Sequence, residues 1–346
     1  MDLLALKNWF LMHQRDLPWR NNPTPYQVWI SEVMLQQTQV AVVIGYFQRW
    51  MSRFPTIQSI SEASLEEVIK MWEGLGYYSR ARCIHRAARY LVQVHGGELP
   101  ASRKELETIP GLGPYTVGAI LSFAFHQKAA AVDGNVLRVL ARYTGLEEDI
   151  SLQKTRQGIW DYAERLLPEE SPWLIVEGLI ELGATLCTRQ PKCFQCPLSG
   201  QCLGLQKGIA DLLPIKKKKE AITLLKRDVA IVMSGDFFLL RKGEKGGIMA
   251  DLYEFPYLEQ ASGTSLHAYL SQNLNLNVQM SQTFPMIRHH FTRYRAMLYP
   301  SLWRATRKED ISAHVWVHTR DLKSLPFSSG HRQILKFMEN HAHFTH

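Results

Sequence analysis

Four of the chain's five cysteines, Cys187, Cys193, Cys196 and Cys202, fall within the single stretch CTRQPKCFQCPLSGQC, while Cys83 stands alone in a helical segment. In a chain of 346 residues otherwise so poor in cysteine, this density reads as one metal site before it reads as disulfides or as unrelated buried thiols. Four thiolates with C-x2-C at the centre suit either tetrahedral zinc or an iron–sulfur cluster, and spacing alone does not choose between them.

A chain of this length with 46% hydrophobic residues can bury a sizeable core and is expected to divide into two or three domains. Lys and Arg total 40 against 32 Asp and Glu, and the net charge of +8 favours an anionic partner, nucleic acid among them. No run of 18 apolar residues is present, and MDLLALKNWF lacks the features of a secretory signal, so no membrane association and a cytoplasmic location are expected.

Three regions separate along the chain. Residues 1–205 read as helical: SLEEVIKMWEGL carries Ser64 as an N-cap, Glu67 three residues on, and Leu65, Val68, Ile69 and Trp72 at helical spacing. Further helices are expected over 81–94, 116–125, 136–143, 154–167 and 173–186. Over 206–226 the pattern lapses into a basic linker containing PIKKKKE. Beyond it, 227–346 reads as α+β, with DVAIVMSGDFFLLRK forming a hairpin turned at Ser234-Gly235-Asp236.

The stretch IPGLGPYTVGA, residues 109–119, has the composition of a tight turn between helices. Gly111 and Gly113 let the backbone turn and approach another chain closely, and the amides opening the next helix can donate to a phosphate. Taken alone, these residues are better read as an ordinary helix–helix connection, and it is their neighbours that shift the reading. Downstream, Asp133 precedes Gly134, Asn135 and a helix, where it can serve simply as an N-cap. Upstream, Glu32 sits among Ile30, Val33 and Met34, a setting that raises a carboxyl pKa and suits it to hold or deliver a proton. A structural glutamate is the alternative.

Taken in order, LPWRNNPTPYQVWISEVMLQQTQV, WEGLGYYSRAR, the glycine turn, VDGNVLRV, ELGATLC and the cysteine stretch resemble the helix-hairpin-helix DNA glycosylase superfamily, and within it the adenine glycosylases of the MutY type. The resemblance implies an all-α helix-hairpin-helix domain of endonuclease III type with a [4Fe–4S] cluster on the cysteine loop, followed by an α+β Nudix/MutT-like domain that checks for 8-oxoguanine. It implies a monomer acting on duplex DNA with 8-oxoguanine:A or G:A mispairs. One departure is visible: five residues separate Cys187 from Cys193 where the family has six.

The same resemblance distributes roles. Glu32 would protonate adenine at N7 and Asp133 would stabilise the positive sugar, while Tyr115 occupies the hairpin position where endonuclease III-type enzymes carry a Schiff-base lysine. Tyrosine cannot form that imine, so water becomes the nucleophile and the strand stays intact. Gln36, Gln37 and Tyr78 match positions that fill or wedge the base stack, and Arg20, Asn135 and Glu177 match positions around the flipped base. In the second domain SLHAYLSQNLNLNV has no glutamate where a Nudix hydrolase needs a metal-binding helix, which points to reading rather than hydrolysis. Phe327, Ser328, Ser329 and His331 resemble the loop that contacts 8-oxoguanine, with a serine N-cap as the plain alternative. A bifunctional glycosylase/lyase and a non-catalytic DNA-binding protein of the same fold are the competing functions.

Overall fold

The computed structural model describes residues 1–216, 222–244, 246–291 and 294–340. These form two compact units, one made of Met1–Ala63 and Cys83–Lys218, the other of Ser64–Arg82 and the chain from Lys219 onward. The division is discontinuous, and strand structure begins at Thr223, inside the stretch read from sequence as linker. No helix among the described residues is long and apolar enough to cross a membrane.

In chain order the helices are α1 (Leu3–His13), α2 (Pro25–Leu35), α3 (Val40–Arg53), α4 (Ile57–Glu62), α5 (Leu65–Trp72), α6 (Ser79–His95), α7 (Arg103–Leu106), α8 (Pro114–Ala119), α9 (Gly134–Tyr143), α10 (Gln153–Leu166), α11 (Pro172–Thr185) and α12 (Leu203–Gln206). A π-helical turn, Ile120–Ala124, continues α8, and two 3-10 turns, Cys193–Gln195 and Ser199–Gln201, shape the cysteine loop. The expected helices are therefore present, with ends shifted by a residue or two. Ser64 caps α5 by accepting from the Glu67 amide.

Helix α2 starts from a full capping box, Thr24 with Gln27, and Pro25 supplies a preset φ. Its residues from Val28 to Met34 are all buried, and five of these seven are apolar, so the helix belongs in an interior. Burying Trp29, Ile30 and Met34 stabilises the fold by about 1.5–3 kcal/mol each. Tyr26, also buried, donates its hydroxyl proton to the Phe54 carbonyl and accepts from the Trp50 indole, so the end of α3 is tied to α2.

Two glycines set how closely the helices of this unit approach. A Cβ on Gly183 of α11 would lie 2.6 Å from Asn135 Cβ, and one on Gly118 of α8 would lie 1.9 Å from the Ala130 carbonyl oxygen. The hairpin between α7 and α8 turns at Gly111, whose φ of +89° and contact with Cys83 both exclude a side chain. Gly113 is the N-cap of α8 with open space where a Cβ would stand.

In the second unit β1 (Thr223–Ser234) and β2 (Phe237–Lys242) form the expected hairpin, with Ser234 opposite Phe237 and Gly235 at φ +56° in the two-residue turn. The remaining strands are β3 (Tyr253–Glu254), β4 (Tyr257–Glu259), β5 (Val278–Thr283), β6 (Ile287–Phe291), β7 (Tyr294–Ala305) and β8 (His314–His318). They make one mixed sheet with central order β3-β2-β1-β7-β5, in which β1 and β7 run parallel. Val229 and Ile231 on one face of β1 pack with Ile334, Leu335 and Met338 of the last helix, α14 (Ser329–Asn340). Ala230 and Val232 on the other face pack with Leu270 and Leu274 near α13 (Leu266–Ala268) and the π turn Tyr269–Asn273. This period-two division makes the sheet the middle of three layers.

Gly118→Ala is expected to lower stability by about 1–3 kcal/mol, because the new methyl meets backbone and the segment carrying Ala130 must move. Denaturant unfolding measures it, and an unchanged midpoint would show that the contact gives way freely.

Candidate active site and cysteine centre

A cavity of about 750 Å³ opens in the first unit. Glu32 reaches it from α2, Tyr115 from α8, Asp133 and Asn135 from the start of α9, Glu177 from α11, and Arg20, Gln36 and Gln37 from the segments flanking α2. Residues separated by more than a hundred positions in sequence thus share one wall.

Glu32 is 7% exposed. Tyr115 donates its hydroxyl proton to Glu32 Oε2 at 2.5 Å. Burial pushes the Glu32 carboxyl up to about 7, with the nearby Asp133 and Glu177 charges adding and the Tyr115 and Arg20 interactions opposing. The Tyr115 phenol is itself pushed well up, first by burial and then by the Glu32 and Asp133 carboxylates.

Asp133 is the N-cap of α9: its Oδ1 accepts from the amides of Asn135 and Val136, both at 2.8 Å, and its Oδ2 accepts from Asn135 Nδ2 at 2.7 Å. The two readings of this residue coincide, since the cap is part of the cavity wall. Burial raises its pKa, and the amide donors hold the rise back.

Behind the cavity lies an ionic group that sequence reading missed. Glu181, fully buried, accepts from Arg15 Nε at 2.6 Å and from Arg20 Nη2 at 2.8 Å. Burial alone would raise its pKa, but the Arg15 and Arg20 donors hold it below the usual range. Arg20 also lies 3.6 Å from Glu177, whose carboxyl burial pushes up. The signal was available: Glu177 and Glu181 stand one turn apart on an otherwise apolar helix, opposite two arginines flanking LPW. On the far wall His126, held at φ +54°, stacks on Trp173 with ring centroids 4.1 Å apart.

The two glutamines lie at the cavity's edge, and some other expected residues fall elsewhere. Gln37 is exposed at φ +59°, and Gln36 Nε2 lies 3.4 Å from Thr116 Oγ1. Tyr78 is buried and its hydroxyl accepts from the Gly74 amide, so it is spent on its own turn and cannot wedge a base stack. Its neighbour Tyr77, at φ +48° and 43% exposed, is the accessible aromatic of the pair. In the second unit Phe327, Ser328 and His331 are buried, which corrects their reading as a surface loop. Ser328 donates to Glu254, His331 Nδ1 accepts from the Phe255 amide, and Phe327 packs in the core, so the three fasten α14 to β3. Ser329 alone keeps partial exposure.

The four clustered cysteines are free thiols, half-buried, and all line one small cavity with Arg142, Leu186 and Pro191. The shortened first interval closes compactly, the Lys192 amide donating to the Leu186 carbonyl at 3.0 Å. Among the described residues no three His, Cys, Asp or Glu side chains converge to grip a single ion. The four thiols lining one space are the donor set that a thiolate-held metal group would need. Arg138 joins this region to the first: Nε donates to the Cys187 carbonyl, and Nη2 to Asn135 Oδ1 and the Gly183 carbonyl, each at 2.8 Å.

Comparison with known proteins agrees with this architecture. A family model described as HhH-GPD superfamily base excision DNA repair protein matches residues 30–165, and a NUDIX domain model matches 228–337. Among solved structures, a thermostable thymine-DNA glycosylase covers 59% of this chain and 95% of its own at a TM-score of 0.54 and 30% identity. A trapped endonuclease III–DNA covalent intermediate covers 60% and 95% at 0.52 and 27%. The fold and site therefore define a protein of the helix-hairpin-helix superfamily with an appended Nudix-like domain. Adenine DNA glycosylases of two Buchnera aphidicola subspecies are 35% identical over 72% of both chains and 31% identical over 86% of this chain and 85% of the other. The mouse adenine DNA glycosylase is 41% identical over 66% of this chain. The chain belongs to the adenine DNA glycosylase family. Its matches span 47%, 39% and 41% of the mouse, human and rat relatives, less than half of each.

Because the folded protein holds the Glu32 proton up to a pKa of about 7 against 4.5 for the free side chain, stability is full below the lower value and falls as pH rises through the higher one. Glu32→Gln is therefore expected to stabilise the protein at pH 8, by at most about 3 kcal/mol, with the gain shrinking toward pH 5. Urea melts across that range measure it, and a gain independent of pH would contradict the buried titration.

Proposed function

We propose that the protein is a monofunctional glycosylase that hydrolyses the N-glycosidic bond of adenine opposite 8-oxoguanine or guanine in duplex DNA, leaving an abasic site. The observation that carries this reading is the Tyr115–Glu32 pair in the cavity wall. A carboxyl with a pKa of about 7 can donate a proton at neutral pH, and the residue beside it is a phenol where the related lyases need an amine. The endonuclease III neighbour was trapped as a covalent DNA intermediate. Here the described lining of the cavity contains no lysine to form one.

In the reaction the flipped adenine accepts the Glu32 proton at N7, the C1′–N9 electron pair leaves with the base, and the Tyr115 hydroxyl supports the carboxylate that remains. Asp133, whose three N–H donors favour its carboxylate form, faces the positive charge on the sugar. Water adds to C1′ and releases a proton. Extruding the base costs a few kcal/mol. We assign the wedging aromatic to the exposed Tyr77 rather than Tyr78. Cys187, Cys193, Cys196 and Cys202 would hold a [4Fe–4S] cluster, which when bound ties the loop covalently and adds its binding energy to folding. The Nudix-like domain serves as the reader of the opposite base.

Duplexes carrying A opposite 8-oxoguanine, G, C or T, assayed with and without alkali, test the proposal. Adenine release from the first two, with strand breakage only after alkali, is expected. Breakage without alkali at the rate of base release, or borohydride trapping through a lysine, would overturn it.

Glu32→Gln and Asp133→Asn should each lower the single-turnover rate by at least about a hundredfold while duplex binding, spread over phosphate contacts, stays measurable. Loss of binding together with activity would assign both side chains to structure. Activity should fall as pH rises past about 7, where Glu32 loses its proton. Tyr115→Phe removes a hydrogen bond that lowers the Glu32 pKa, so it should move this alkaline limb to higher pH. A shift downward would place the hydrogen bond on the protonated form.

A further inference from the structure

We infer that Arg142 is the buried counter-cation of the cysteine centre, the residue whose charge holds a metal in the space that the four cysteines line. The inference rests on the cysteines being a metal site, as proposed above. Arg142 lies on α9 at 3% exposure. Its guanidinium donates to Cys187 Sγ at 3.4 Å, to the Thr188 and Arg189 carbonyls, and through Nε to the Leu213 carbonyl at 2.9 Å. Its own carbonyl accepts from Cys202 Sγ at 3.4 Å, and Gly204 leaves that carbonyl clear, since a Cβ there would come within 2.6 Å of it. One residue thus touches the first and last cysteines of the set.

The argument turns on charge. A buried guanidinium is costly unless an anion faces it, and among the described residues Arg142 pairs with no carboxylate: its partners are three carbonyls and one sulfur. Carbonyl dipoles satisfy its N–H groups but leave its charge uncompensated. The anion that the site can supply is the thiolate set, and four cysteines become thiolates together when they bind metal. Arg138, one turn earlier on α9, touches the Cys187 carbonyl rather than a sulfur, so the two arginines are not equivalent.

The test compares wild type with Arg142→Met and Arg142→Lys in the full chain, reconstituted anaerobically with iron and sulfide and then stripped. Metal release to a chelator and thermal melting are read in both states. Arg142→Met should release iron about tenfold to a hundredfold faster, and should melt lower than wild type when loaded but no lower when stripped. Arg142→Lys, which keeps the charge, should release iron close to the wild-type rate. An arginine that merely braces carbonyls predicts equal melting losses in both states and a lysine variant as leaky as the methionine one, and either result overturns the inference. If Arg142→Met does not fold, the lysine variant's release rate decides alone. Wild type that takes up zinc and no iron would sink the cluster reading, and Arg142 would then be judged by zinc release from the same variants. Wild type that binds neither metal overturns both.

Discussion

Moving a carboxyl group such as Glu32 out of water disfavours its charged form, and much of the first unit's organisation follows from tolerating that cost at one point. The carboxyl stays buried because α2 is enclosed from Val28 to Met34. It stays usable because α8 brings a phenol against one of its oxygens and the residue lines the cavity. The tight contacts at Gly118 and Gly183 matter for the same reason: α8 approaches the segment leading to Asp133, and α11 approaches Asn135. Loosening either would separate groups whose mutual electrostatics set their protonation. The ionic group of Glu181, Arg15 and Arg20 acts as ballast behind this arrangement, since removing one partner of a buried ion pair typically costs about 3–5 kcal/mol.

The sequence carried the helices of the first unit well, because capping and periodicity are local. Thr24, Ser64 and Asp133 each cap the helix that follows them, and the two-residue turn at Gly235-Asp236 set the β1–β2 register. It carried the cavity residues Glu32, Asp133, Tyr115, Asn135, Arg20 and Glu177 through motif resemblance rather than chemistry alone. What it could not carry was burial decided at long range. Tyr77 and Tyr78 are adjacent and identical, and only the left-handed turn at Tyr77 determines which faces out. Phe327, Ser328 and His331 have the composition of a polar loop, yet packing against β3 and the sheet takes them inside. Glu181, Arg138 and Arg142 were overlooked because their partners lie tens of residues away.

Helix α9 links the two centres of the first unit in a way that neither motif discloses. Asp133 closes its first turn, Arg138 reaches both Asn135 and the Cys187 carbonyl, and Arg142 reaches the Cys187 sulfur. A ten-residue helix is a stiff object, so the cysteine loop and the Asp133 cap are placed by the same rod. Sites built on such elements hold their geometry more closely than sites on loops.

The discontinuous second unit has a consequence for the order in which the chain can be finished. Glu73 leaves the ribosome early, but Arg332, which grips it through Nε at 2.6 Å, is synthesised 259 residues later. Contacts of such long sequence separation are closed late and slowly. The cysteine loop, lying wholly before that point, is synthesised while the second unit still awaits its last helix. A nascent chain therefore has all the residues of its first unit before it has those that complete the second.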